Sequence, residues 1–368
     1  MKKTLTYILS AVLLTGCIYP FKADIDSSVN REVVIDANIL LGNKSTVNLY
    51  YLLPLEVGER SQNLGYPSGT VYLQDEEGNT YPAQGSAGYY TMNVPEIDSK
   101  FKLTVVVEGN TYVSEWVEPV APPVIKDVSF SADEENVYVL LSMDDEGSGS
   151  GYAALQYDEI WKFHADWVRN YNYDAESNSV YMLQNPIDYH YWCWVKKQFV
   201  GQRLIDYTFL NGHVEDYVAV AFPRNDSRNH AEYDVRLKLW NLTPEQYRYR
   251  KMLEENASIG GNLFSPEPGE IRGNVYCENN PEVPVYGYVN ISKVTMITRV
   301  LPATYSTWRA KYNLKEIAQE DWPTYFEKGY VPIDEMISSN GGTTVGWGEA
   351  RCWDCVAAGG TLDKPAFD

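Results

Sequence analysis

Cysteine is the residue type with the clearest capacity for chemistry in this chain, and it occurs at Cys17, Cys193, Cys277, Cys352 and Cys355. Cys352-Trp353-Asp354-Cys355 has the C-x-x-C spacing of a redox pair or of half a zinc site. A redox pair sits at a helix N-terminus that stabilises the thiolate, and Val356-Ala357-Ala358-Gly359-Gly360 is a poor helix start. A zinc site needs a second ligand pair, and Cys193 and Cys277 stand far apart in sequence. The even set of Cys193, Cys277, Cys352 and Cys355 is therefore expected to form structural disulfides, two bridges in one of three connectivities. Histidine offers less. His164 with Asp166, and Asp188 with His190, are i,i+2 pairs that could meet as a metal site if their strands were neighbours; solvated strand faces are the plainer reading. Asp144-Asp145-Glu146 in a glycine-serine loop could offer oxygen ligands to calcium, but its spacing fits no standard calcium loop. No Gly-x-Ser-x-Gly, His-Glu-x-x-His or signature carboxylate pair occurs, so neither enzymatic activity nor a cofactor or metal is expected.

Cys17 belongs to a different piece of chemistry. It closes Leu14-Thr15-Gly16-Cys17, behind Lys2, Lys3 and an apolar run over residues 5–14, and this is the layout of an export signal. The apolar run is about half of a bilayer span, so a transmembrane helix is not expected. Leu-Thr-Gly-Cys resembles a bacterial lipobox, whose cysteine is acylated and becomes the first residue of the mature chain. Acyl chains contribute about 0.8 kcal/mol per buried methylene, enough in combination for a stable anchor. This reading is favoured over an ordinary signal peptide that happens to end near a cysteine. It gives a signal peptide over residues 1–16 and an acylated tether over 17–28.

The elements that must position these groups are mostly strands. The chain has 368 residues, 44% of them hydrophobic, with 30 tyrosines and 10 tryptophans, a composition that suits half-buried pleated surfaces and excludes general disorder. A formal net charge of −20 argues against nucleic acid and against an electrostatic grip on anionic lipid. Strand-like runs over residues 33–39, 46–52, 71–74, 80–81, 89–92, 102–107 and 111–114 predict an immunoglobulin-like β-sandwich over 29–120, with a hairpin at Asp75-Glu76-Glu77-Gly78-Asn79. Pro122-Pro123 makes a stiff joint. A second β-rich domain is expected over 121–368, with strands at 127–131 and 136–143. The fold class is thus mainly β: two sandwiches in tandem, the second with one inserted helix and a disulfide-stapled C-terminal segment.

That helix is signalled by Thr243 as N-cap, Pro244 at the first helical position, Gln246 completing a capping box, and Leu242 with Tyr247 as a staple. It should run to about residue 256 with Tyr249, Met252 and Leu253 against a sheet. A weaker helical pattern covers 307–319. Aromatics crowd residues 157–173 and 181–200. They either fill a core, the favoured reading, or form a platform for a sugar or peptide, for which Trp161, Trp167, Tyr171 and Tyr173 are the candidates.

Further motifs cluster late in the chain: Gly261-Asn262-Leu263-Phe264 with Pro268 four residues on, Gly273-Asn274-Val275, Cys277, Asn280-Pro281, Gly287-Tyr288, then Arg351-Cys352-Trp353-Asp354-Cys355, Gly359-Gly360-Thr361 and Lys364-Pro365-Ala366-Phe367. Their glycines and prolines suit bends, close backbone approach and strand punctuation, and Cys277 could staple this ribbon to Cys193 or to the C-terminal pair. Together they resemble the DUF4249-type outer-membrane lipoproteins of Bacteroidota, with Asp368 in place of the family's usual final aromatic and Val289 after Gly287-Tyr288. The resemblance implies an outer-membrane lipoprotein on the cell surface, for which Asp24 and Asp26 form a weak acidic export tag. It also implies partnership with a TonB-dependent receptor. The expected function is capture of a ligand, glycan or peptide, for such a transporter, or capping of it. The alternatives are an envelope assembly lipoprotein without a small ligand and, less favoured, a glycan or peptide hydrolase.

Overall fold

Alternation of apolar and polar residues builds the first sandwich. In the computed structural model, which describes residues 32–52, 66–145, 149–199, 201–258, 273–302 and 310–367, Val33, Ile35, Ala37, Ile39 and Leu41 of strand Glu32–Leu41 all point into one core. They meet Val71 and Leu73 of strand Gly69–Asp75 and Leu103, Val105 and Val107 of strand Phe101–Val107. The expected hairpin forms: Gly69–Asp75 pairs with Thr80–Pro82, Gly78 takes φ +89°, and Asp75 accepts bonds from the Asn79 N–H (2.8 Å) and the Tyr81 hydroxyl (2.9 Å). Cys17 and the tether lie outside the described residues, as does the Gly261-Asn262-Leu263-Phe264 motif.

This sandwich is not contiguous in sequence. Strand Val285–Lys293 runs parallel to Glu32–Leu41, and strand Val275–Cys277 adds to Asn110–Ser114, so each of its two sheets takes an edge strand from beyond residue 120. The late motifs explain how. At Gly287, with φ +114°, a Cβ would lie 1.9 Å from the Ile35 carbonyl oxygen, and at Gly273 one would lie 1.3 Å from the Gly287 carbonyl oxygen. Only glycine lets three backbones approach so closely. The Asn274 side chain then completes the ladder, donating to the Val289 carbonyl (2.9 Å) and accepting from its N–H (2.8 Å). Cys277 corrects an expectation. It is a free thiol, 3% exposed in the first core, and the ribbon is held by hydrogen bonds rather than by a disulfide.

The second sandwich packs the sheet Val124–Ala132, Asn136–Asp144, His213–Pro223 against a sheet ordered Trp192–Gln198, Tyr152–His164, Glu232–Asn241, Thr295–Pro302. Val137, Val139 and Leu141 interleave there with Leu155, Leu237 and Leu239. The proline joint lies just before strand Val124–Ala132, and the buried Asn241 amide donates to the Ala121 carbonyl. Helix Pro244–Ser258 starts as expected: the Gln246 N–H donates to Thr243 Oγ1 (3.2 Å) and the Thr243 N–H to Gln246 Oε1 (2.8 Å). Leu242 and Tyr247 share one cluster. The apolar stripe is narrower than expected: Tyr249 is buried against Tyr288, but Met252 and Leu253 are 40% and 38% exposed. Thr243→Ala should cost about 1 kcal/mol in a denaturant melt; an unchanged midpoint would show that the capping box is idle.

A third, small unit was not anticipated. Hairpins Arg169–Asp174/Ser179–Ile187 and Val331–Ile337/Thr343–Gly348, with helix Trp322–Glu327, close over two clusters centred on Tyr173, Ile317 and Trp347 and on Leu314, Ile333 and Cys352. Of the second expected helix, the described residues 310–318 are not helical, and Gln319 begins only a 3-10 turn, Gln319–Asp321. Leu314 and Ile317 are buried at helical spacing, yet Lys315 exchanges both backbone hydrogen bonds with Trp347, which holds the segment extended. Among the described residues, no helix is long and apolar enough to cross a membrane.

Candidate ligand cleft

The small unit meets one end of the second sandwich at a cavity of about 640 Å³, within the size range of small-molecule sites. Strand Tyr152–His164 supplies its floor. Because successive side chains alternate, Trp161 and Phe163 face inward while Lys162 lies across Trp192 and Trp194 on the other side. Val195 from the paired strand completes the apolar surface. The Trp161 indole N–H donates to Ser227 Oγ (3.1 Å), which ties the floor to the short turn Ser227–Asn229.

That turn forms one wall, and a buried charge network fixes it. Asp226 caps it through the Arg228 N–H (3.0 Å) and is gripped by the Arg228 guanidinium at 2.9 and 3.1 Å. The same guanidinium reaches Glu159 Oε1 (2.8 Å), which also accepts the Tyr233 hydroxyl (2.8 Å). Burial acts to raise the Asp226 pKa, but hydrogen bonds and charge from Arg228 outweigh it and hold the carboxyl below its ordinary value. His230 follows, its ring stacked on His164 at 4.2 Å between centroids. Burial first, and the neighbouring His164 second, lower its pKa to about 4. A histidine depressed from about 6.5 to about 4 contributes stability above the unfolded value and loses it as pH falls between the two. Stability should therefore decline from about pH 6.5 downward, and His230→Asn should flatten that slope in melts taken at several pH values. An identical slope in the variant would assign the acid sensitivity elsewhere.

The opposite wall comes from the small unit. Asp166 Oδ2 accepts the N–H groups of Lys311 (2.8 Å) and Tyr312 (2.7 Å), clamping that segment beside the floor, and burial raises the Asp166 pKa. The Tyr312 ring lies 5.3 Å from Lys311 Nζ and 5.1 Å from the Arg351 guanidinium. Cys193–Cys355 staples the two units next to the cleft. The Cys355 N–H donates to the His190 carbonyl, and Thr361 exchanges backbone bonds with Trp194. Beyond it, Lys364 pairs with Glu232 and Asp234, and Phe367 lies under Arg236.

The disulfide expectation is corrected here. One bridge forms among the described residues, and Cys277 and Cys352 are free, buried thiols in separate clusters. Burial raises the Cys352 pKa, the reverse of a reactive C-x-x-C thiol. Non-reducing peptide mapping should return Cys193–Cys355 as the sole bridge, with Cys277 and Cys352 alkylated only after denaturation; a Cys277 disulfide would contradict the arrangement.

Of the four aromatic candidates, Trp161 lines the cleft and the others pack elsewhere. Trp167 donates to the Tyr312 carbonyl behind the wall, the Tyr171 hydroxyl bonds Glu335, and Tyr173 is 5% exposed among Trp322, Phe326 and Trp347. The four do not share a platform: Tyr173 and Trp167 pack in the two clusters of the small unit, as the favoured core reading has it. The i,i+2 pairs also separate, because His190 turns to Asp354 (3.0 Å) while His164 stacks on His230. In the acidic loop, Asp144 is engaged by His213 (2.7 Å) and Lys126 (3.3 Å), and Glu146 lies outside the described residues. Asp226, His230, Lys311, Tyr312 and Arg351 were missed as site residues. Arg351 alone had a signal, its place in the Arg-Cys-x-Asp-Cys motif.

The architecture defines a mainly β protein of packed sandwiches with a cleft at the seam of an appended unit. The chain belongs to the family described as a domain of unknown function, DUF4249, whose profile matches residues 18–298. Among solved structures it is similar to a two-domain fibronectin type III segment of chicken tenascin, 8% identical over 57% of this chain and 89% of that one, with a TM-score of 0.17. No curated protein matches the chain.

Proposed function

We propose that this chain is a non-catalytic lipoprotein, acylated at Cys17 and held on the outer face of the outer membrane of a Bacteroidota cell, which captures a small ligand for a TonB-dependent transporter or caps it. The observation that supports capture best is the cleft: an apolar floor of Trp161, Phe163 and Val195 between two walls of fixed polar groups, the pattern of a small-molecule site. The export layout of residues 1–17 supports the location, and the net charge of −20 favours attachment through acyl chains over attachment by charge. Metabolic labelling with radioactive palmitate tests the anchor. The native chain should take up label and the Cys17→Ser chain should not; equal labelling of the two would remove the anchor at Cys17. Quenching of Trp161 by candidate ligands tests capture. Saturable quenching that is lost in Trp161→Phe supports it, whereas a chain that stays silent across glycans, peptides and small acids would point to an assembly role.

A further inference from the structure

The charged groups of the cleft divide into two sets. Its carboxylates are committed to the structure: Asp166 to the Lys311 and Tyr312 backbone, Asp226 to Arg228 and the turn that it caps. Its exposed cations are not committed to those acids. Lys311 and Arg351 flank one face-forming ring, Tyr312, at 5.3 and 5.1 Å. Arg351 gives Nη2 to Glu349 (2.8 Å), and among the described residues its Nε and Nη1 have no acceptor. The two cations therefore keep spare donors beside an apolar floor. A guanidinium fork backed by an aromatic ring is suited to a carboxylate.

We propose that the cleft takes an apolar-bodied monocarboxylate, with the body on Trp161, Phe163 and Val195 and the carboxylate on Arg351 and Lys311. The assignment rests on the capture reading above and names its ligand class. A single negative charge fits better than a phosphate dianion, because each added charge is repelled by a chain of net charge −20. The carboxylate has two sources, a free small acid or the C-terminus of a peptide.

The test is a tryptophan-fluorescence titration of the full chain with four probes: N-acetyl-L-phenylalanine, its amide, a short peptide ending in a free phenylalanine carboxylate, and maltose. At least one carboxylate should bind about tenfold or more tighter than the amide, the usual weight of a charge-assisted hydrogen bond. Whichever of the two binds more tightly identifies the source. Lys311→Ala with Arg351→Ala should bring the carboxylate down to the affinity of the amide; both side chains are exposed, Arg351 by 51%, so folding is not at stake. Equal binding of acid and amide overturns the assignment. So does saturation by maltose alone, which would leave capture standing with a neutral ligand. Silence toward all four probes overturns it too, and capture is then decided by what copurifies with the chain.

Discussion

Replacing Cys193 and Cys355 together by alanine is expected to destabilise the chain more than any other change considered. The bridge spans 162 residues of sequence. Closing a loop of that length removes entropy from the unfolded chain worth about 5 kcal/mol in the loop-closure picture. Both half-cystines are fully buried, so removal also leaves a void, and a Cβ at Gly360 would lie only 2.5 Å from that of Cys193, a measure of how tightly the strap is seated. The tail beyond it should detach in part, since it reaches the sandwich only at a few points: Thr361 on Trp194, Lys364 on Glu232 and Asp234, and Phe367 on Arg236. Guanidinium unfolding followed by tryptophan fluorescence would show the loss as an earlier midpoint. A shift worth less than about 1 kcal/mol would mean that the small unit is held by its own packing.

Arg228→Ala should cost about 3–5 kcal/mol, because it strands the buried Glu159 carboxylate and the half-buried Asp226 without removing them. Glu159 is 3% exposed and Asp226 loses both of its guanidinium contacts. Arg228→Met combined with Glu159→Gln and Asp226→Asn replaces the charges by neutral groups, keeps an acceptor for the Tyr233 hydroxyl and should recover most of the loss. The acid response gives an independent reading. Asp226 has a folded pKa below its ordinary 3.8, so its contribution is present above that value and is lost as pH falls through the folded one. That segment of the pH profile should vanish in Arg228→Ala. Since the network carries the turn Ser227–Asn229, ligand binding should weaken in the single variant and return in the triple one. Equal stability of native and single-variant chains would show that solvent reaches Glu159 and relieves it.

What was legible in the chain follows from the range over which each signal acts. The capping box of Thr243 and Gln246 and the Asp75–Asn79 hairpin are decided within a few residues, and they form as read. The glycines and asparagine of the 273–287 ribbon announced close backbone approach. They could not announce the partner, because parallel pairing of Gly287 with Ile35 joins segments some 250 residues apart. The aromatics were visible, but a tryptophan suits a core or a platform equally well by type. Only tertiary packing sends Trp161 to the cleft and Tyr173 to the interior. Leu314 and Ile317 carried a helical period that the backbone pairing of Lys315 with Trp347 overrides. The cleft draws on residues 161–166, 195, 226–230, 310–312 and 351, brought together where the small unit meets the second sandwich. Nothing local to any one of them marks the others.

The most direct measurement of the proposed role is a pull-down of the native acylated chain in mild detergent, with mass spectrometry of what copurifies. A TonB-dependent barrel recovered in stoichiometric amount is the expected result, and the ligand search would then follow that barrel's substrate. A chain that comes out alone, with its anchor intact, would contradict the transporter assignment.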